Sequence, residues 1–395
     1  MVKKILTIAI LLLSINFCRA ALDWIAAPQF PDIGRTASVA FVIGDKAYVG
    51  LGYDGFVNKK TFYCFDRNTN QWTPVPEFGS FARAASVAFS IGSYGYVGTG
   101  TGISTYSKDF WRFNPATGYW TQMADLPGSA RHSAIAFANV DSAFVGFGYD
   151  ANGYKKDIYC YHPSSNSWNQ KLDFPGSARC KSCVFTLNNK DYLVGGNGGF
   201  LLNDCWEYTP ATDSWIQKSD FAGTPREQAV AFSLQNFGYV GLGYDSTFHY
   251  KKDFFTYDAQ NDNWIPFDTF PSYARSGAVA FTFNTRAYVG LGFDSVPQRT
   301  FYYFATFNDA VKNVMDENQI QVFPNPASNQ LSVTLQQSQC DNICVYDLNG
   351  RKILEQSISG NNKTEIDIAS LPASEYLLVI KSGKKTLSVR KFLKN

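Results

Sequence analysis

Few residues of this 395-residue chain are equipped for chemistry, and their spacing narrows the choice further. His132, His162 and His249 are its 3 imidazoles. They lie far apart in sequence with no ligand spacing between them, so no metal and no cofactor is expected. Cys180-Lys181-Ser182-Cys183 has the C-x-x-C spacing of zinc and redox motifs, but neither a second such pair nor a histidine accompanies it. The repeat described below sets both cysteines on one strand, where residues three apart face opposite ways. Arg226-Glu227 places a guanidinium beside a carboxylate, the only candidate pair for acid–base catalysis. A buried, ion-paired glutamate is the competing reading.

Binding chemistry is better represented. Arg35, Arg83, Arg131, Arg179, Arg226 and Arg275 each precede an apolar run. Gathered together they would make an electropositive mouth for an acidic ligand. Alternatively, each pairs with a repeated aspartate or holds loop carbonyls. Tyr53, Tyr106, Tyr149, Tyr154, Phe200, Tyr244, Phe248 and Tyr250 fall in segments that vary from one copy of the pattern to the next, with Asp54, Asp150 and Asp245 beside them. Rings stack on sugar or peptide surfaces, and carboxylates accept hydroxyl hydrogen bonds. Rings also fill space between packed sheets, which is the structural reading of the same residues.

The composition bounds what can hold these residues in place. Hydrophobic residues make up 45%, enough for a packed core. Charged residues are only 17%, with a net charge of +2, which argues against a nucleic-acid partner. Aromatic residues at 16% with 31 glycines favour short strands and tight turns.

A period then emerges. Trp24, Trp72, Trp120, Trp168, Trp215 and Trp264 are separated by 48, 48, 48, 47 and 49 residues. The six arginines keep step with them. So does a tyrosine–glycine strand, Ala47-Tyr48-Val49-Gly50-Leu51-Gly52, recurring as Gly238-Tyr239-Val240-Gly241-Leu242-Gly243 and Ala287-Tyr288-Val289-Gly290-Leu291-Gly292. An aromatic strand follows, as in Phe62-Tyr63-Cys64-Phe65. Each unit thus holds four strands, a to d, with tryptophan on d. One such sheet cannot bury both faces, whereas sheets packed radially can.

The pattern resembles the kelch-type β-propeller, whose repeats are near 50 residues. The resemblance covers residues 21–308 and implies an all-β, six-bladed propeller. The sixth a–c set ends near Phe304 without a tryptophan strand behind it. Leu22-Asp23-Trp24-Ile25 is an orphan d strand, so it is expected to complete the sixth blade. Propeller topology puts the b–c and d–a connections, and with them all the candidate binding residues, on one face.

The two ends of the chain concern destination. Lys3 and Lys4, an apolar stretch from Ile5 to Ile15, and Cys18-Arg19-Ala20 read as a signal peptide over residues 1–20. No other segment is apolar and long enough to anchor the chain in a membrane as a helix. Residues 309–318 read as a polar linker and 319–395 as a second β module. Cys340 and Cys344 could pair across a turn in that module. Val322-Phe323-Pro324-Asn325-Pro326-Ala327, Leu331-Ser332-Val333, Val345-Tyr346-Asp347-Leu348-Asn349-Gly350-Arg351 and the basic end Lys391-Phe392-Leu393-Lys394 resemble the C-terminal sorting domain of type IX (Por) secretion. That resemblance implies a small immunoglobulin-like β-sandwich, the type IX secretion machinery as partner, and a secreted or outer-surface location reached through the periplasm.

The expected function is therefore a secreted or surface binding or adhesion protein whose loop face holds a glycan or protein ligand. A structural matrix component with no small ligand is one alternative. Another is a kelch enzyme, in the manner of the sialic-acid epimerases, with Arg226 and Glu227 in its channel. A copper oxidase resembling galactose oxidase would need two histidines and two tyrosines around the metal.

Overall fold

In the computed structural model, the described residues are 24–305, 320–335, 340–347, 352–358, 363–382 and 385–395. The signal segment, the linker and the Leu348–Arg351 turn lie outside them. The chain divides into two compact units, one spanning Asp23–Thr306 and one containing Phe307–Asn395.

The first unit is a six-bladed propeller. Blade 1 is an antiparallel meander of Val39–Ile43, Lys46–Gly50, Phe62–Asp66 and Gln71–Val75, its strands a to d in order. The pattern repeats with strand a at Val87–Ile91, Ile135–Ala138, Cys183–Leu187, Val230–Leu234 and Val279–Phe283. Each a strand alternates buried and half-buried positions. It turns Val and Phe between the blades and small residues such as Ala40 and Ala88 toward the axis.

Blade 6 is closed from the N-terminal side as expected, but by a strand that begins after Trp24, the expected Leu22 and Asp23 lying outside the described residues. Ile25–Ala27 pairs antiparallel with Phe301–Ala305, joining the two ends of the ring in one sheet. The tryptophans work between blades. Trp72 Nε1 donates to the Pro28 carbonyl at 3.1 Å, Trp168 to Ala124 at 2.9 Å and Trp264 to Ser219 at 3.0 Å. These three indoles tie their own outer strands to the segment leaving the previous blade. The glycines permit close contact: a Cβ on Gly238 would lie 2.2 Å from the Phe185 ring of the neighbouring blade.

A second closure runs around the axis. Ala37 N donates to Gly277 O, Gly277 to Gln228, Gln228 to Lys181, Lys181 to Ser133, Ser133 to Ala85 and Ala85 back to Ala37, all between 2.8 and 3.0 Å. All six residues have φ between +52° and +60°. This left-handed turn, which costs a non-glycine residue energy, aims each N–H at the preceding blade. Six blades are thereby linked by a circuit of main-chain bonds at the channel mouth.

The second unit is a sandwich of two sheets. Ile320–Phe323, Gln330–Leu335 and Lys363–Asp367 form one, and Lys352–Ser357, Asn342–Asp347, Ser374–Ser382 and Lys385–Lys394 form the other. Leu331, Val333, Ile343, Val345, Ile366, Leu378 and Ile380 are buried between them.

Candidate functional site

The site is built on the loop face, where the first residue of each b–c loop bridges the segment just after a repeat arginine. Tyr53 pairs with Thr36, Thr101 with Ala84, Tyr149 with His132, Asn197 with Cys180, Tyr244 with Glu227 and Phe293 with Ser276. These pairs surround the opening of the channel. Below it the channel narrows to a cavity of about 210 Å³ lined by alanine, serine and valine of the inner strands.

The six arginines lie beneath this surface, and the electropositive-mouth reading is corrected. All are at most 2% exposed. Arg83 forks onto Asp109 and the Thr99 carbonyl, Arg131 onto Asp157 and Phe147, Arg179 onto Asp204 and Gly195, and Arg226 onto Asp253 and Leu242. Their charge is spent on holding the b–c hairpin, and most also lie over a phenylalanine ring, as Arg83 does over Phe78 at 5.0 Å. Burial opposes ionisation of Asp109, yet Arg83 and the hydrogen bonds that Asp109 accepts from Ser107 and Trp111 outweigh it and hold the carboxyl down at about 2. In blades 1 and 6 the repeat aspartate is Thr61 or Thr300. Arg35 turns to Asp32 at 2.5 Å instead. Arg275 bonds Thr300, Ser272 and the Leu291 carbonyl, and burial lowers its pKa to about 10.

Asp54, Asp150 and Asp245 are corrected as well. They are buried and saturated, so they are not placed to accept ligand hydroxyls. Asp54 Oδ1 takes the Phe56 and Val57 N–H groups at 2.8 and 2.7 Å, and Oδ2 pairs with Lys59 at 2.6 Å. Asp150 meets Lys155 and Asn152 N, and Asp245 meets Lys251 and Thr247, in the same way. Burial opposes ionisation of Asp54, yet Lys59 and the two amides outweigh it and hold its pKa at about 2. These carboxylates shape the loops.

The tyrosines form the rim. Tyr53 and Tyr106 are exposed, while Tyr149, Tyr154, Tyr244 and Tyr250 are half-buried. Tyr149 meets Tyr154 edge-on at 5.0 Å, and Tyr244 lies 5.0 Å from Tyr250. Phe200 and Phe248 stand out from loop tips.

Sequence reasoning missed the polar arc of the mouth. Glu227 is not paired with Arg226. Lys181 Nζ donates to Glu227 Oε1 at 2.8 Å and Asn197 Nδ2 to Oε2 at 2.8 Å, while Tyr154 Oη donates to Asn197 Oδ1 at 3.1 Å. His132 sits beside them between the rings of Tyr106 and Tyr149, at 4.7 and 5.8 Å. Burial, aided by Lys181, lowers its pKa, so it is neutral at neutral pH. Gln228 Oε1 accepts from Ser276 Oγ at 3.1 Å on the far side. Repeat register was the available signal: Lys181 stands where the other blades carry Ala37, Ala85, Ser133, Gln228 and Gly277, and Glu227 where they carry Thr36, Ala84, His132, Cys180 and Ser276, so each is the one lysine or carboxylate at its repeat position.

One further expectation changes. Cys180 precedes the strand that Cys183 begins, so the pair does not share a strand. Both thiols are free and buried, and burial raises them to about 11 and 12, far from thiolate chemistry. His162 hydrogen-bonds Asn169 near the start of a d strand, away from the mouth. Among the described residues no three His, Cys, Asp or Glu side chains stand together as a metal cluster.

The fold is a six-bladed β-propeller followed by a β-sandwich unit. Residues 321–395 match the family described as the secretion system C-terminal sorting domain. That domain marks proteins sent by type IX secretion to the cell surface or extracellular space. The chain is also similar to the solved structure described as "Structure of YjhT", a kelch-type propeller, with a TM-score of 0.62 and 15% identity. The match covers 70% of this chain and 95% of that one, and shows the fold alone. No curated protein matches the sequence. Among the described residues, no helix is long and apolar enough to cross a membrane.

Proposed function

We propose that the protein is an exported binding protein whose propeller loop face holds a glycan at the channel mouth. One observation carries this reading. A rim of tyrosines encloses the hydrogen-bonded chain of Tyr154, Asn197, Glu227 and Lys181. Flat rings beside fixed donors and acceptors suit a hydroxylated ligand, because rings cover the apolar faces of a sugar while the polar groups fix its orientation. A protein surface is the other ligand such a face would take. The sorting domain delivers the face to the outside of the cell, where polysaccharides are met.

The test is glycan-array binding by the mature chain, compared with a variant carrying Tyr53→Ala, Tyr149→Ala and Tyr244→Ala. The reading requires binding that the triple variant loses while its melting temperature stays close to the parent's. Unchanged glycan binding in that variant, or an absence of glycan binding alongside capture of a protein, would reject it.

A further inference from the structure

The mouth does not open evenly. Two concavities meet at Tyr250. One, of about 250 Å³, lies over the mouth between Glu227, Gln228, Ser276 and the rings of Tyr244 and Phe293. The other, of about 540 Å³, lies farther out between blades 5 and 6, bounded by Tyr273, Asp294, Val296 and Gln298. With Tyr250 lining both, they make a groove that leaves the mouth radially.

Its chemistry is uneven in a useful way. Rings recur along it, with Phe293 and Tyr244 at the inner end, Tyr250 in the middle, and Tyr273 at the outer end. Tyr273 is 71% exposed. Between the rings stand carboxylates, amides and a hydroxyl. Asp294 Oδ1 accepts from Gln298 Nε2 at 2.8 Å, and Glu227 is held by Lys181 and Asn197. The cations nearby already have partners. Arg275 is buried and bonded to Leu291, Ser272 and Thr300, and Lys181 is paired with Glu227. An acidic ligand would bring its charge toward Glu227 and Asp294 with no counter-ion among the described lining residues. A neutral, hydroxyl-rich chain meets ring faces and acceptors in alternation.

We infer that this groove is an extended subsite for a neutral oligosaccharide, one sugar unit seated at the mouth and the next crossing Tyr250 toward Tyr273 and Asp294. The inference rests on the glycan reading above and deepens it. It selects neutral over acidic sugars and chains over single units.

The experiment is calorimetric titration of the mature chain with cello-, malto- and N-acetylchito-oligosaccharides of one to four units. Oligogalacturonates of matching length serve as the acidic series. In one neutral series the affinity should rise about tenfold or more from the single sugar to the trisaccharide, and the acidic series should bind more weakly at every length. Tyr273→Ala removes only an exposed ring, so the variant should fold. It should lose about fivefold in affinity for the trisaccharide and leave the single sugar unaffected. Length-independent binding that Tyr149→Ala abolishes and Tyr273→Ala ignores would overturn the groove while leaving the glycan face standing. Tighter binding of oligogalacturonates would overturn the neutral preference. Failure of every sugar to bind would remove the parent reading, and this one with it.

Discussion

Lys181 and Glu227 meet across the boundary between blades 4 and 5, the ammonium donating to Oε1 at 2.8 Å. Lys181 belongs to the left-handed circuit around the axis, and Glu227 belongs to the position just before it in the next blade. The main-chain ring thus fixes where both side chains start, and the pair stiffens the polar arc of the mouth. Glu227→Gln keeps the shape and an acceptor but leaves Lys181 without its counter-charge. Because both side chains reach solvent, the pair stabilises the fold by only about 0.5–1 kcal/mol. The melting temperature should therefore move by roughly 1–3 °C. Affinity for neutral glycans should fall about tenfold and affinity for acidic ones should rise. Thermal melts with paired titrations check this, and a collapse in stability would show that the pair is structural.

The arginine forks predict a ranking. Arg83→Met leaves half-buried Asp109 without its cation, a loss that costs about 3 kcal/mol, the lower end for a carboxylate that keeps some contact with solvent. Arg275→Met removes bonds to two hydroxyls and a carbonyl and should cost less, about 1–3 kcal/mol. Urea unfolding of the two variants gives the order. Restoring most of the loss with Arg83→Met combined with Asp109→Leu would confirm that the stranded carboxylate is the cause. An equal cost for the two single variants would count against it.

The blades, their number and their closure were legible because they follow from periodicity, and a tryptophan every 48 residues marks a strand regardless of partners. The arginines were legible as a repeat but not in their role. The partners Asp109, Asp157, Asp204 and Asp253 recur in step, so a sixfold feature pointed to structure from the start, and burial shows why. Asp54, Asp150 and Asp245 misled because an aspartate in a variable loop looks the same whether it faces a ligand or its own backbone. Only the bonds to Phe56, Val57 and Lys59 separate the two cases. The Lys181–Glu227–Asn197 chain was not legible, since residues 46 and 30 positions apart meet only through blade stacking.

Asp191 sets a pH dependence. It is buried in strand b of blade 4, and the described hydrogen bond to its side chain is from Thr186 Oγ1 at 2.6 Å. Burial raises its pKa from 3.8 to about 7, against the opposing pull of that hydroxyl. A carboxyl raised on folding binds more protons in the folded state than in the unfolded one. Stability is then greatest below the unfolded value near 3.8 and falls as pH rises through about 7. Asp191→Asn removes this penalty. Its melting temperature should exceed the parent's by several degrees at pH 8 and match it near pH 4. Scanning calorimetry at the two pH values decides, and an equal shift at both would show that the carboxylate is not the source.

Closure of the ring gives the last prediction. Trp24 lies 5.3 Å from each of the rings of Phe254, Phe270 and Phe304, so one indole joins the core of blade 5 to the third strand of blade 6. The strand that follows, Ile25–Ala27, is the fourth strand of that blade and supplies its third ladder. Trp24→Ala opens a cavity between the two blades at a cost of about 2–4 kcal/mol, toward the lower end for a half-buried tryptophan. Deleting residues 22–27 also exposes the edge of Phe301–Ala305, whose N–H and C=O groups lose their partners. The deletion should therefore lower the melting temperature more than Trp24→Ala does. Amide exchange in Phe301–Ala305 should rise sharply in the deletion and only modestly in the point variant, because local opening follows the loss of the ladder rather than of the indole. Parent-like exchange at that strand after deletion would mean that blade 6 holds without its N-terminal partner.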